Sequence, residues 1–174
     1  NEITGLSFTL QEGAVEPWRD YPGVTGLSLN VDWNEGLAEV DFTSHKLTLY
    51  ADKWLDKAVF FDSMTGGLSW KKGAQQEWTF KSDGLYVWNN ELSLQLKGSV
   101  EQGANGDIVN DISLILNDID LQYWKNYVPE KILGKSFKRW SRHAFSAGMI
   151  NDGLIEWKGK IADFPYKNKS DNAY

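Results

Sequence analysis

Residues 25–43 read TGLSLNVDWNEGLAEVDFT. From Thr25 to Trp33 the side chains alternate. Leu27, Leu29, Val31 and Trp33 fall on one side, and Gly26, Ser28, Asn30 and Asp32 on the other. Successive side chains of a strand point to opposite faces, so a period of two predicts a half-buried strand. Asn34-Glu35-Gly36 is a short turn, and Ala38, Val40 and Phe42 repeat the pattern beyond it. Two such runs split by an Asn/Gly turn predict an antiparallel hairpin.

The same reading extends outward. Upstream, Leu6, Phe8 and Leu10 alternate with Ser7 and Thr9, and a turn-rich connection runs from Glu16-Pro17-Trp18 to Pro22-Gly23. Downstream, strand-like runs carry Leu47 and Leu49, then Leu68 and Trp70, then Trp78 and Phe80. Asp83-Gly84 reads as a turn before Leu85 to Trp88. Leu92, Leu94 and Leu96 alternate with Ser93, Gln95 and Lys97, and Ile108, Ile112, Leu114 and Leu116 mark another run. Residues 51–63 fit either a helical turn or a loop packed over the sheet. About ten short strands at this spacing predict an antiparallel sheet with one wet and one dry face. Each Leu-sized side chain left in water forfeits about 1.5–3 kcal/mol, so the dry face needs a cover. A second layer or closed barrel, a helical lid, or a lipid-like ligand in a trough would each supply one, and alternation does not choose among them.

From Leu121 to Tyr166 the pattern changes. Leu121, Trp124 and Val128 recur at helical spacing until Pro129 and Gly134 interrupt. Ser136 is a candidate cap for a second helix with Phe137, Trp140 and Ala144 on one face. Gly148 is a plausible stop, and strand-like pieces follow near Met149 and from Leu154 to Ile161. Residues 120–145 hold six basic side chains (Lys125, Lys131, Lys135, Lys138, Arg139, Arg142) against Asp120 and Glu130. That stretch is +4 while the chain is -6, leaving -10 for the remainder. The basic segment suits either anionic headgroups or an ordinary solvated helix face.

Composition narrows the chemistry. The 174 residues are enough for one domain with a core. No cysteine is present, which removes disulfides, zinc–thiolate sites and cysteine nucleophiles. The acidic balance argues against nucleic acid as a partner. His45 and His143 fall in different kinds of element and read as surface residues. Asn105, Asp107, Asn110 and Asp111 lack the spacing of a calcium loop and read as a solvated loop. No phosphate loop, nucleophile elbow or metal-ligand pair is found, so the reading is non-enzymatic, with no metal and no cofactor. Nine tryptophans (Trp18, Trp33, Trp54, Trp70, Trp78, Trp88, Trp124, Trp140, Trp157) suit core packing and strand ends, or a carbohydrate platform on a β-sandwich. The chain begins with Asn and shows no signal peptide or long apolar run, so it reads as a piece of something longer or as a matured product.

The last third resembles a known family, the AsmA-like domain of large bacterial envelope proteins of the YhdP type. The resemblance rests on Tyr127-Val128-Pro129, Trp140-Ser141, Ala144-Phe145, Gly148, Gly153, Gly159 and Asp163-Phe164-Pro165-Tyr166. Val128, Ser141 and Tyr166 depart from its pattern, and Ser141 is polar where the family is apolar. The resemblance implies a curved antiparallel meander forming a groove or half-barrel. With it go strands over 1–118, a short helical pair near 119–147, closing strands over 148–166 and a tail over 167–174. It implies a single domain, part of a longer periplasmic protein tethered to the inner membrane by a helix outside these residues. It further implies that phospholipid acyl chains are the partner, carried between inner and outer membranes, with other envelope proteins as further candidates. Alternation then nominates Leu27, Leu29, Val31, Leu92, Leu94, Leu96, Leu114 and Leu116 as the lining. A carbohydrate-binding sandwich or a structural, protein-binding domain are the competing expectations.

Overall fold

A computed structural model describes residues 3–19, 21–73, 77–127, 139–140, 143–144 and 147–160. Seven successive strands form a meander: β1 Gly5–Val15, β2 Gly23–Asn34, β3 Leu37–Tyr50, β4 Val59–Lys72, β5 Trp78–Trp88, β6 Ser93–Gln102 and β7 Ile108–Asn117. β8 Ile119–Asp120 and β9 Met149–Ile150 pair as a small ribbon, and β10 Gly153–Lys160 returns to the main sheet beside β7. The sheet has eight strands in the order β1-β2-β3-β4-β5-β6-β7-β10, every pair antiparallel. It does not close, because β1 and β10 are its two edges. The expected hairpin is β2–β3, where Asn34 faces Leu37 across the turn.

Register fixes which side chains share a face, because residues opposite each other in an antiparallel pair point the same way. The row Leu6–Trp33–Ala38–Trp70–Phe80–Val100 crosses six strands. A second row runs Phe42–Gly66–Leu85–Leu96–Leu114–Ile155. The opposite face carries Thr9, Asn30 and Asp41, then Gln95, Lys97 and Ser113. One side of the sheet is apolar across all eight strands and the other is polar.

The expected number of strands, about ten, is met, but seven of them are longer than the short runs read from the sequence, at 10–14 residues. Asp83-Gly84 is not a turn: β5 runs through it, and its pairing slips by one residue against β4 between Lys81 and Gly84 and against β6 between Ser82 and Leu85. An extra residue accommodated in one strand is a bulge, which bends and twists that strand. Beside it stand Gly66 (φ +116) and Gly98 (φ +127). A Cβ on Gly66 would lie 2.0 Å from the Gly84 carbonyl oxygen, and one on Gly98 2.0 Å from that of Asp111. Only glycine lets the strands approach so closely there. A second line of irregularity crosses β1–β3 at Glu12, Gly26 and Lys46, all with positive φ.

Buried polar side chains replace the ladder bonds lost at these lines. Ser44 Oγ, fully buried, accepts from the Ser28 N–H at 2.8 Å and donates to the Ser28 carbonyl at 3.0 Å. Ser82 Oγ donates to the Gly67 carbonyl at 2.8 Å and accepts from the Gly84 N–H. A polar group removed from water needs such partners.

The expected first helix is, as far as Tyr127, a single 3-10 turn over Trp124–Asn126. Pairing of β8 with β9 and the Leu121 N–H bond to the Gly148 carbonyl, 2.9 Å, hold this segment instead. In the second expected helix Arg139, Trp140, His143 and Ala144 are helical and exposed. Val128, Pro129, Ser136, Phe137, Ser141 and Phe145, and everything after Lys160, lie outside the described residues.

Candidate functional site

Among the described residues the apolar face is covered at one margin only. Where β3 ends and β4 begins, the loop 51–58 folds over the sheet, and the strap 119–127 covers the ends of β6 and β7. Beneath them Leu47, Ala51, Leu55, Val59, Phe61, Leu92, Leu116 and Ile119 are buried together. Residues 51–58 are thus the packed-over loop, one of the two readings the sequence allowed. Lys46, with φ +57, lets both Ser44 and Leu47 turn inward across a three-residue interval.

Tyr127 locks the strap. Its ring packs on Phe61 with centroids 6.4 Å apart. Its hydroxyl donates to Glu91 Oε2 at 2.7 Å and accepts from Asn89 Nδ2 at 2.8 Å. Asn89 Nδ2 also donates to the Phe60 carbonyl at 2.6 Å, and Glu91 accepts the Asp120 N–H on its backbone at 2.9 Å. Burial raises the Tyr127 phenol pKa above its ordinary value; the Asn89 bond opposes this and the Glu91 carboxylate adds to it.

Away from that margin no covering layer is found among the described residues. Leu29, Val31 and Leu96 are half-buried there, while Phe8 and Ile155 are exposed at the edges. Of the expected lining, Leu29, Val31 and Leu96 stand on this open face, and Leu27, Leu94 and Leu114, half-buried, stand on its border and pack against the buried cluster. Leu116 shares the face but is buried at the covered margin, and Leu92 lies in the turn before β6 within the same core. Facing pairs are Leu94 with Leu116 and Leu96 with Leu114. Sequence reading missed Met64, Val87 and Ile155 as members of the face, and named Ile112 in its strand's apolar run without including it in the lining. The signal of the missed three lies in cross-strand register, which the alternation of a single strand does not contain.

The other candidates separate. His45 is exposed on the polar face and His143 is far along the chain. Asp107 bonds Lys160 at 2.7 Å and Asp111 approaches Lys158 at 3.5 Å. Asn110 is buried and donates to the Trp157 carbonyl at 2.7 Å, so the four residues form no common centre. Among the described residues no group of three or more His, Cys, Asp or Glu is placed to hold a metal. The tryptophans form no single platform. Trp18 stacks on Tyr21 at one margin, Trp88 and Trp140 are exposed elsewhere, and Trp33, Trp70, Trp78 and Trp157 belong to the apolar face. Of the family positions, Tyr127 is the lock, Gly153 faces Leu116 and Gly159 faces Asn110. Asp163, Phe164, Pro165 and Tyr166 lie outside the described residues.

An open antiparallel meander with one largely apolar face, covered along a single margin among the described residues, defines a class of proteins that present a broad oily surface. The family model described as YhdP protein matches residues 2–173, and the chain belongs to that family. Membership links it, at family level, to lipid transport and to the cell envelope. No curated protein and no solved structure matches the chain. Among the described residues no helix is long and apolar enough to cross a membrane.

Proposed function

We propose that this chain is a non-enzymatic stretch of a periplasmic carrier, tethered to the inner membrane in the full-length protein, that moves phospholipid between the inner and outer membranes. One observation carries the reading: an apolar face eight strands wide with no second protein layer over most of it among the described residues. Adjacent strands are about 4.8 Å apart, so eight strands make a trough floor roughly 34 Å long across the strands. Acyl chains lie on it, parallel to the strands, and complete the core that the described residues leave open. Each buried methylene contributes about 0.8 kcal/mol, so a chain is retained. Sliding by one strand exchanges one apolar contact for an equivalent one, so no deep minimum stops it. The bulge lines at Gly66–Gly98 and Glu12–Lys46 bend the strands into the concavity such a ligand needs.

The test is organic extraction of the purified protein followed by mass spectrometry. The parent protein releases phospholipid. A variant with Leu94→Asp and Leu114→Asp retains its β circular dichroism and loses the lipid. A folded double variant with undiminished lipid, or release of oligosaccharide instead, would overturn the reading.

A further inference from the structure

The two margins of the apolar face are built differently. At the covered margin eight apolar side chains are buried under the loop 51–58 and the strap. The opposite margin ends in the β2–β3 turn, the close of β4 and the close of β6. There, among the described residues, no apolar side chain is fully buried.

That open margin is lined by aromatic residues. Trp33 and Trp70 stand on the same row, separated by the small Ala38. Trp70 meets Phe80 with centroids 6.4 Å apart, and Trp78 meets Phe80 edge-on at 5.3 Å. Tryptophan is amphipathic, an apolar body with one N–H donor, and collects where hydrocarbon gives way to headgroups.

Beyond the aromatic row the same face turns charged. Along β4 it reads Met64, Gly66, Leu68, Trp70 and then Lys72, whose partner is Trp78. Lys72 is exposed, and its N–H bonds the Gly36 carbonyl at 2.8 Å, tying the β2–β3 turn to the end of β4. Along β6 the face reads Leu94, Leu96, Gly98, Val100 and then Gln102. Glu35 is exposed in the β2–β3 turn, while Lys71 and Glu101 belong to the opposite face. Along β4 apolar, aromatic and charged residues therefore follow one another, in the order acyl chain, glycerol region and headgroup follow in a phospholipid.

Accepting the carrier reading, we infer that this margin is the headgroup rim. Trp33, Trp70, Trp78 and Phe80 mark the boundary between acyl chain and headgroup, and Lys72 meets the phosphate. Lys72 and the turn that carries Glu35 present both signs, which suits a zwitterionic headgroup with its phosphate and ammonium together. The covered margin receives the methyl ends of the acyl chains. Lipid is thereby held with its long axis along the strands while it slides from strand to strand.

Two photoreactive phosphatidylethanolamines test this, one with a diazirine on the amine and one with it at the acyl terminus. Each is loaded from vesicles of phosphatidylethanolamine onto the purified protein, irradiated, and its adducts mapped by peptide mass spectrometry. Headgroup adducts are expected on residues 33–37, 70–72 and 100–102, and acyl-terminal adducts on residues 59–64, 92–94 and 114–116. Headgroup adducts on residues 51–58, or spread evenly over both margins, overturn the rim assignment while leaving the carrier reading intact. Absence of acyl adducts from the apolar face overturns both.

Discussion

Replacing Gly98 by Ala tests the bend in the sheet most directly. Gly98 has φ +127, and an added Cβ would lie 2.0 Å from the Asp111 carbonyl oxygen. The backbone conformation alone costs a residue with a Cβ about 1–3 kcal/mol. The contact cannot persist, so β6 and β7 must separate locally, with loss of one or two ladder bonds at about 0.5–1.5 kcal/mol each. Together these give about 2–5 kcal/mol, a large part of a typical total stability of about 5–15 kcal/mol. Gly106, in the β6–β7 turn, is the control. It has φ +83 with nothing within 4 Å of an added Cβ, so Ala there pays only the left-handed backbone cost of about 1–2 kcal/mol. Urea unfolding followed by tryptophan fluorescence reads both. With a slope of about 1–3 kcal/mol per molar urea, Gly98→Ala lowers the midpoint by about 1–2 M and Gly106→Ala by clearly less. Equal losses for the two, or a Gly98→Ala variant within about 0.5 kcal/mol of the parent, would refute the claim that close strand approach at Gly98 is part of the fold.

Three other perturbations follow from named contacts. Tyr127→Phe keeps the ring on Phe61 but removes the bond to the Glu91 carboxylate, at a cost of about 1.5–3 kcal/mol, and a double-mutant cycle with Glu91→Gln should show non-additivity of at least about 0.5 kcal/mol. Ser44→Ala leaves the Ser28 N–H and carbonyl without their side-chain partner and should cost about 1–3 kcal/mol in urea unfolding, against nearly nothing for exposed Ser7→Ala. The pH dependence has two limbs. The Lys160 ammonium, by hydrogen bond and then by charge, lowers the Asp107 pKa below 3.8, so its contribution is present above that value and lost as pH falls through the lower folded one. The Tyr127 pKa is raised in the fold, so its contribution is present below about pH 10 and lost as pH rises toward the folded value. In absorbance at 295 nm, the parent minus Tyr127→Phe difference should titrate above the ordinary tyrosine range in folded protein and return to it in urea; a difference that titrates near pH 10 in folded protein would refute the raised value.

Much of the sheet was legible because alternation is a local property. The hairpin at Asn34–Leu37, the division of Leu29 and Val31 from Asn30 and Asp32, and the one-sided sheet all follow from period two. Bulges were not legible. Asp83-Gly84 carries the residue types of a turn, and only the pairing of β5 with β4 and β6 on both sides of it shows a continuous strand. The turn between Leu121 and Tyr127 misled because Leu121 and Trp124 keep helical spacing. Propensity gave way to tertiary pairing, with Ile119 on Ile150 and Leu121 on Gly148. The face itself was half legible: each strand declared its own apolar side, but register alone joined Trp70 to Phe80 and Leu96 to Leu114. Leu92 looked like the next member of an alternating series and instead fills the core under the strap, since β6 begins after it at Ser93.

The unclosed margins at β1 and β10 make this architecture a gauge of length. A barrel must keep strand number, tilt and stagger in agreement, whereas a meander with two free sides tolerates another hairpin without adjusting the rest. Each inserted pair of strands would extend the oily floor by about 9.6 Å. Because the ladder bonds of each strand run only to its neighbours, span can be matched to the gap between two membranes by counting hairpins added at an edge, away from the shared buried cluster.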